Sequence, residues 1–68
     1  MSNATYWEIG AIGKDGRQYF FGCFDRERKD DFVQHNRQKY EVLMVALYKD
    51  DINVGLTVYK NGKLIFQY

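Results

Sequence analysis

The stretch EVLMVALYKDDINVGLTVYKNGKLIFQY, residues 41–68, decides the fold. It holds two turn signals, Lys49-Asp50-Asp51-Ile52 and Lys60-Asn61-Gly62-Lys63, set between three apolar runs. Asn-Gly suits a two-residue type I′ hairpin turn, because both central residues need positive φ, which Gly adopts freely and Asn tolerates. Asp50-Asp51 lacks the glycine but occupies the same place between apolar runs. Pairing outward from the last turn sets Tyr59 opposite Leu64, Val58 opposite Ile65, Thr57 opposite Phe66 and Leu56 opposite Gln67. Pairing outward from the middle turn sets Leu47 opposite Val54, Val45 opposite Leu56, Leu43 opposite Val58, and Glu41 across from Lys60. Aliphatic residues then meet aliphatic residues on one face, as a buried sheet face requires. The reading is a three-stranded meander over about residues 41–49, 52–60 and 63–68.

A helix over 32–48 competes with the first strand of that meander. Val33, Asn36, Tyr40, Leu43 and Leu47 follow a 3-4 spacing, and Asp31 with Gln34 can form a capping box. Such a helix would set Val42 and Val45 on the side shared with Gln34, Gln38 and Glu41, and the strand is therefore preferred.

Upstream, Lys14-Asp15-Gly16-Arg17 repeats the turn signal and joins strands over Thr5–Gly13 and Arg17–Phe24. A two-residue loop there puts Ile9 opposite Gly22 and Gly10 opposite Phe21. Between Asp25 and Lys39 the chain turns polar. Asp25 with Lys29 and Arg26 with Asp30 have the i, i+4 spacing of a helix, which Phe32 and Val33 would hold against the sheet. The predicted fold is α+β: a strongly bent antiparallel sheet of about five strands with one short helix, in the order ββαβββ, with an SH3-like or OB-like closure as one way to complete it. Gly10, Gly13, Gly22 and Gly55 are the expected bending points. Residues 5–68 form one domain, and residues 1–4 read as a tag remnant or a disordered start.

The length of 68 residues leaves room for one core only. A hydrophobic content of 46% is too apolar for a disordered chain, and no apolar run is long enough to span a membrane as a helix. Ten Lys and Arg against nine Asp and Glu give a net charge of +1, so the overall charge supplies no bias toward nucleic acid or membrane. One cysteine, Cys23, excludes an intramolecular disulfide framework and favours a reducing, cytoplasmic setting.

Catalytic equipment is sparse. His35 lies in a polar segment, and Cys23 sits in a strand with nothing nearby in sequence to hold a thiolate, although the two could meet in space. No spacing of His, Cys or carboxylates suits a metal, and the scattered glycines make neither a phosphate loop nor a dinucleotide fingerprint. The expectation is a non-enzymatic module without cofactor or metal.

The informative anomaly is a second apolar face. Opposite the aliphatic one, the meander carries Val42, Met44, Ala46, Tyr48, Thr57, Tyr59, Leu64, Phe66 and Tyr68, and one short helix cannot cover both. That face must curl into a core, meet another copy of the chain, or bind a protein partner. Tyr48, Tyr59, Phe66 and Tyr68 are the expected contact residues, since aromatics dominate binding hot spots. The rival reading is a nucleic-acid-binding domain that uses Arg17, Tyr19, Arg26, Arg28 and Lys29. Against it, the basic-Gly-aromatic-Gly order of the RNA-recognition strand motif is absent, and acidic residues interleave with the basic ones.

Overall fold

The computed structural model describes residues 4–68. Its elements are β1 (Thr5–Ile12), β2 (Gln18–Phe24), α1 (Arg26–Asn36), β3 (Val42–Lys49), β4 (Ile52–Lys60) and β5 (Lys63–Gln67). All strand pairs are antiparallel, in the order β2-β1-β3-β4-β5. The ββαβββ plan and the strand at 42–49 agree with the sequence. Of the expected tag remnant at 1–4, residues 1–3 lie outside the described residues, while the Ala4 carbonyl accepts a hydrogen bond from the Asp50 amide.

The helix begins at Asp25 rather than Asp31. The Asp25 carboxylate accepts from the Arg28 amide at 2.9 Å, satisfying one of the free N–H groups of the first turn. The expected pairs Asp25 with Lys29 and Arg26 with Asp30 are not ion pairs; Lys29 instead meets Asp30 at 2.6 Å. Phe32 anchors the helix as predicted, with its ring 4.8 Å from Phe21 and 5.2 Å from Phe24 between centroids. The core beneath is small. Trp7, Ile9 and Ala11 of β1 with Leu43 and Val45 of β3 are buried, and Phe21, Phe24, Phe32, Val33, Tyr40, Leu47 and Tyr59 pack around them.

The sheet is neither closed nor strongly curled, which corrects the expected bend and the SH3-like or OB-like closure. β2 and β5 sit at opposite edges, and no hydrogen-bond ladder joins them among the described residues. The glycines serve local purposes instead. Gly55 admits a close approach, since a Cβ there would stand 3.2 Å from the Tyr68 carbonyl oxygen and 3.4 Å from the Leu47 Cβ.

Three bulges change which residues share a face. In the first hairpin the loop has three residues between Gly13 and Arg17, with Gly16 at φ +84, so Gly10 faces Phe20 rather than Phe21. An extra residue at Phe21 then restores the expected pairing of Ile9 with Gly22. The middle turn is as read, with Asp50 and Asp51 both at positive φ. Two residues further on the pairing shifts: Tyr48 faces Asn53, but Leu47 faces Gly55, leaving Val54 as the extra residue. Val45 therefore faces Thr57 and Leu43 faces Tyr59, while Val54, Leu56 and Val58 are not part of the buried core. In β5, Ile65 is the extra residue, so Val58 faces Phe66 and Thr57 faces Gln67. A one-residue shift moves every later side chain to the other side of a sheet.

Asn53 supports the middle bulge. Its amide nitrogen donates to the Leu47 carbonyl at 3.1 Å and to the Gly55 carbonyl at 2.9 Å, and its oxygen accepts from the Tyr68 hydroxyl at 2.8 Å. Replacing ladder bonds lost at the bulge, these contacts hold the shifted register. Asn53→Ala is expected to lower the unfolding free energy by about 1–2 kcal/mol, the sum of modest net hydrogen-bond terms. A urea titration reads this as a lower midpoint, and an unchanged midpoint would show that Asn53 does not hold the bulge.

Candidate interaction surface

Residues alternating with the core positions form the side of the sheet away from α1. They line up in rows that cross the strands. One row runs Phe20, Gly10, Met44, Val58, Phe66, and the next runs Cys23, Glu8, Ala46, Leu56, Tyr68. Ile12, Val42, Lys60 and Lys63 flank them at one end, and Tyr6 and Tyr48 at the other. No element of the described chain covers these rows. Phe20 is 68% exposed, Tyr68 63% and Phe66 50%. Isolated exposed apolar side chains are ordinary on a monomer, but a continuous apolar sheet face is not.

Tyr6 and Tyr48 stack with centroids 5.3 Å apart and planes 6° from parallel. The Tyr6 hydroxyl donates to Asp51 Oδ1 at 2.9 Å, tying the β3–β4 turn to β1. That hydrogen bond, followed by burial and the Asp51 charge, pushes the Tyr6 pKa up to about 12. The Tyr48 hydroxyl is also raised, first by the charge of Glu8, then by burial and a hydrogen bond to the same carboxylate. The phenol with a raised pKa favours folding while it is neutral. Its contribution is complete below pH 10 and is lost as pH rises through about 12. Subtracting the ultraviolet titration of Tyr6→Phe from that of the parent is expected to isolate one tyrosine ionising near pH 12. Asp51→Asn should bring it back toward 10, and a parent Tyr6 that titrates near pH 10 would contradict the contact.

Charges on this side are few and ordered. Lys60 and Lys63 face each other across β4 and β5 at one end, and Asp51 lies beside Tyr6 at the other. Glu8 stands in the middle, between the small residues Cys23 and Ala46.

Of the four contact residues expected from the sequence, Tyr48, Phe66 and Tyr68 share this open side. Tyr59 does not: the bulge at Val54 turns it toward α1, where its ring lies 5.2 Å from the Arg37 guanidinium. Met44, Leu56, Val58, Phe20 and Tyr6 belong to the face and were not among the expected contacts. The available clue was Gly55, since glycine inside a strand marks a bulge or a close backbone approach.

The residues of the nucleic-acid reading fall into separate places. Arg17 is in the β1–β2 loop, its side chain 79% exposed and 3.5 Å from Asp15. Tyr19 stacks on Phe21 and tilts against Tyr40, on the helix side. Arg26 and Lys29 lie over the Trp7 ring at 5.1 and 4.8 Å, and Arg28 over Phe24 at 5.7 Å. Cys23 is exposed on the open side, whereas His35 is on α1 and hydrogen-bonds the Asp31 carbonyl, so the sheet separates the two. Among the described residues no three His, Cys, Asp or Glu gather as metal ligands, and no helix is long and apolar enough to cross a membrane.

No family model, no curated protein and no solved structure matches this chain.

Proposed function

We propose that the chain is a non-enzymatic interaction module that pairs with a second copy of itself through the open sheet face. The observation that carries this reading is the order of groups on that face: a middle that is apolar apart from Glu8, Lys60 and Lys63 at one end, and Asp51 at the other. A two-fold axis that lies in the interface and runs across the strands reverses strand direction in the partner. The lysine end of each copy then lies over the Asp51 end of the other, an isologous and self-complementary arrangement.

The same axis, set between the two middle rows, supports shape as well as charge. Met44 comes over Ala46 of the partner subunit, and Glu8 over Gly10 of the partner subunit, so large groups meet small ones. With strands about 4.8 Å apart and about 3.4 Å per residue, the face measures roughly 19 Å across its five strands and roughly 24 Å along them. That footprint, about 460 Å² in projection, is smaller than the about 800 Å² per partner of a standard interface and suits a pair that separates on dilution. The near-neutral net charge of +1 puts little repulsion in the way. A nucleic-acid complex draws less support, because three of its five residues are held against Trp7 and Phe24 and Arg17 sits in the loop at the far end of β2.

The orientation is tested by reversing the lysines. The double variant Lys60→Glu, Lys63→Glu is expected to weaken self-association about three- to tenfold at low salt, as rim charges are each worth only about 0.2–1 kcal/mol. Association as tight as in the parent would contradict the proposed axis.

A further inference from the structure

The other side of the sheet carries a site independent of the open face. α1 packs on β1 and β2 only, and beside it the sheet floor is left as a half-open cleft of about 620 Å³. Clefts of about 300–1,000 Å³ suit small molecules. The floor is Val45 and Thr57, with Tyr59 beside them, and Val33 and Arg37 form the wall on the helix side. We infer that this cleft binds a small aromatic carboxylate, with the carboxylate on Arg37 and the ring lying on Tyr59, Val45 and Val33.

The placement of charge carries the inference. Two cations line the cleft, and they differ. Lys29 is already balanced by Asp30 at 2.6 Å, and its side chain is only 19% exposed. Arg37 has no carboxylate within 4.0 Å among the described residues. It is nonetheless held in place: its amide donates to the Val33 carbonyl at 3.0 Å, and its guanidinium sits 5.2 Å from the Tyr59 ring centroid. A guanidinium positioned by a ring keeps its N–H donors for a carboxylate, which it can take in two parallel hydrogen bonds. Val33 and Tyr59 beside it offer contact for an aromatic body, Gln34, Gln38 and Gln67 bring amides rather than charge, and the one carboxylate of the lining, Asp30, is held by Lys29. A neutral ring would leave Arg37 unpaired, and a bare inorganic anion would leave Val33 and Tyr59 uncovered.

The test is a titration of isotope-labelled protein with indole-3-acetate and with its neutral amide, followed by amide chemical shifts. The expected result is saturable shifts at Val33, Thr57, Tyr59 and Gln67, with the neutral amide at least about tenfold weaker, a difference of about 1.4 kcal/mol. Arg37→Gln should weaken the carboxylate by a similar factor and leave the rest of the spectrum in place. Arg28→Gln, which removes the same charge from above Phe24, should bind as the parent does. Equal binding of acid and amide, shifts confined to Met44 and Phe66 on the open face, or no saturation at about 10 mM, which corresponds to less than about 3 kcal/mol of binding, would each overturn the assignment.

Discussion

Ile9→Ala is expected to cost about 2–5 kcal/mol of unfolding free energy, the range for emptying a fully buried aliphatic site. Ile9 is wholly inaccessible, at the middle of β1, with Gly22 on one side and Val45 on the other. The glycine offers no side chain to move into the space. A chain of 68 residues has a total stability of roughly 3–10 kcal/mol, so this one change consumes a large part of it. The thermal midpoint should fall by about 8–40 °C, at about 4–8 °C per kcal/mol for a domain of this size. The matched control is Ile65→Ala, the same chemical change at a bulge residue that is 58% exposed. It should cost less than about 1 kcal/mol. Both are measured by circular dichroism at one protein concentration, because association adds to apparent stability. Equal losses at the two sites would contradict the division of the sheet into a covered and an open side.

Met44→Glu is expected to weaken self-association by at least about 100-fold while leaving the monomer folded. In the monomer Met44 is 36% exposed, so a glutamate there reaches water. In the proposed pair the same position faces Ala46 of the partner subunit, beside Glu8 of the partner subunit, so no cation meets the new carboxylate and a like charge stands next to it. Burying an unpaired charge there costs several kcal/mol, and the pair separates instead. Ile52→Glu is the companion variant. Ile52 is 65% exposed and faces Lys49 at the far end of the sheet, so the pair should tolerate it. Loss of association in both variants would point to a general charge effect and not to this face.

The two substitutions probe what the sequence shows plainly and what it conceals. Turn chemistry is local, so Lys60-Asn61-Gly62-Lys63 and Asp50-Asp51 could be placed from their neighbours alone, and the three strands followed. Asp25 as helix cap and Phe32 as anchor are also short-range features. The faces were harder to read. Val54, Leu56 and Val58 look like the inner residues of β4, because they alternate and are aliphatic. The structure instead turns Gly55, Thr57 and Tyr59 inward, since Val54 is an extra residue stabilised by Asn53. A strand that is apolar on both sides carries no hydrophobic signal that distinguishes one register from the next. That ambiguity put Tyr59 among the contact residues and kept Leu56 and Val58 out of them. The absence of closure was equally hidden, because it depends on where the edge strands β2 and β5 lie rather than on any residue within them.

Sedimentation equilibrium of the unmodified protein reads directly whether the open face joins two copies. Across the micromolar range a mass of twice 8.1 kDa is expected, falling toward 8.1 kDa on dilution and in Met44→Glu at every concentration. An unmodified protein that remains at 8.1 kDa up to the highest concentrations would contradict the pairing.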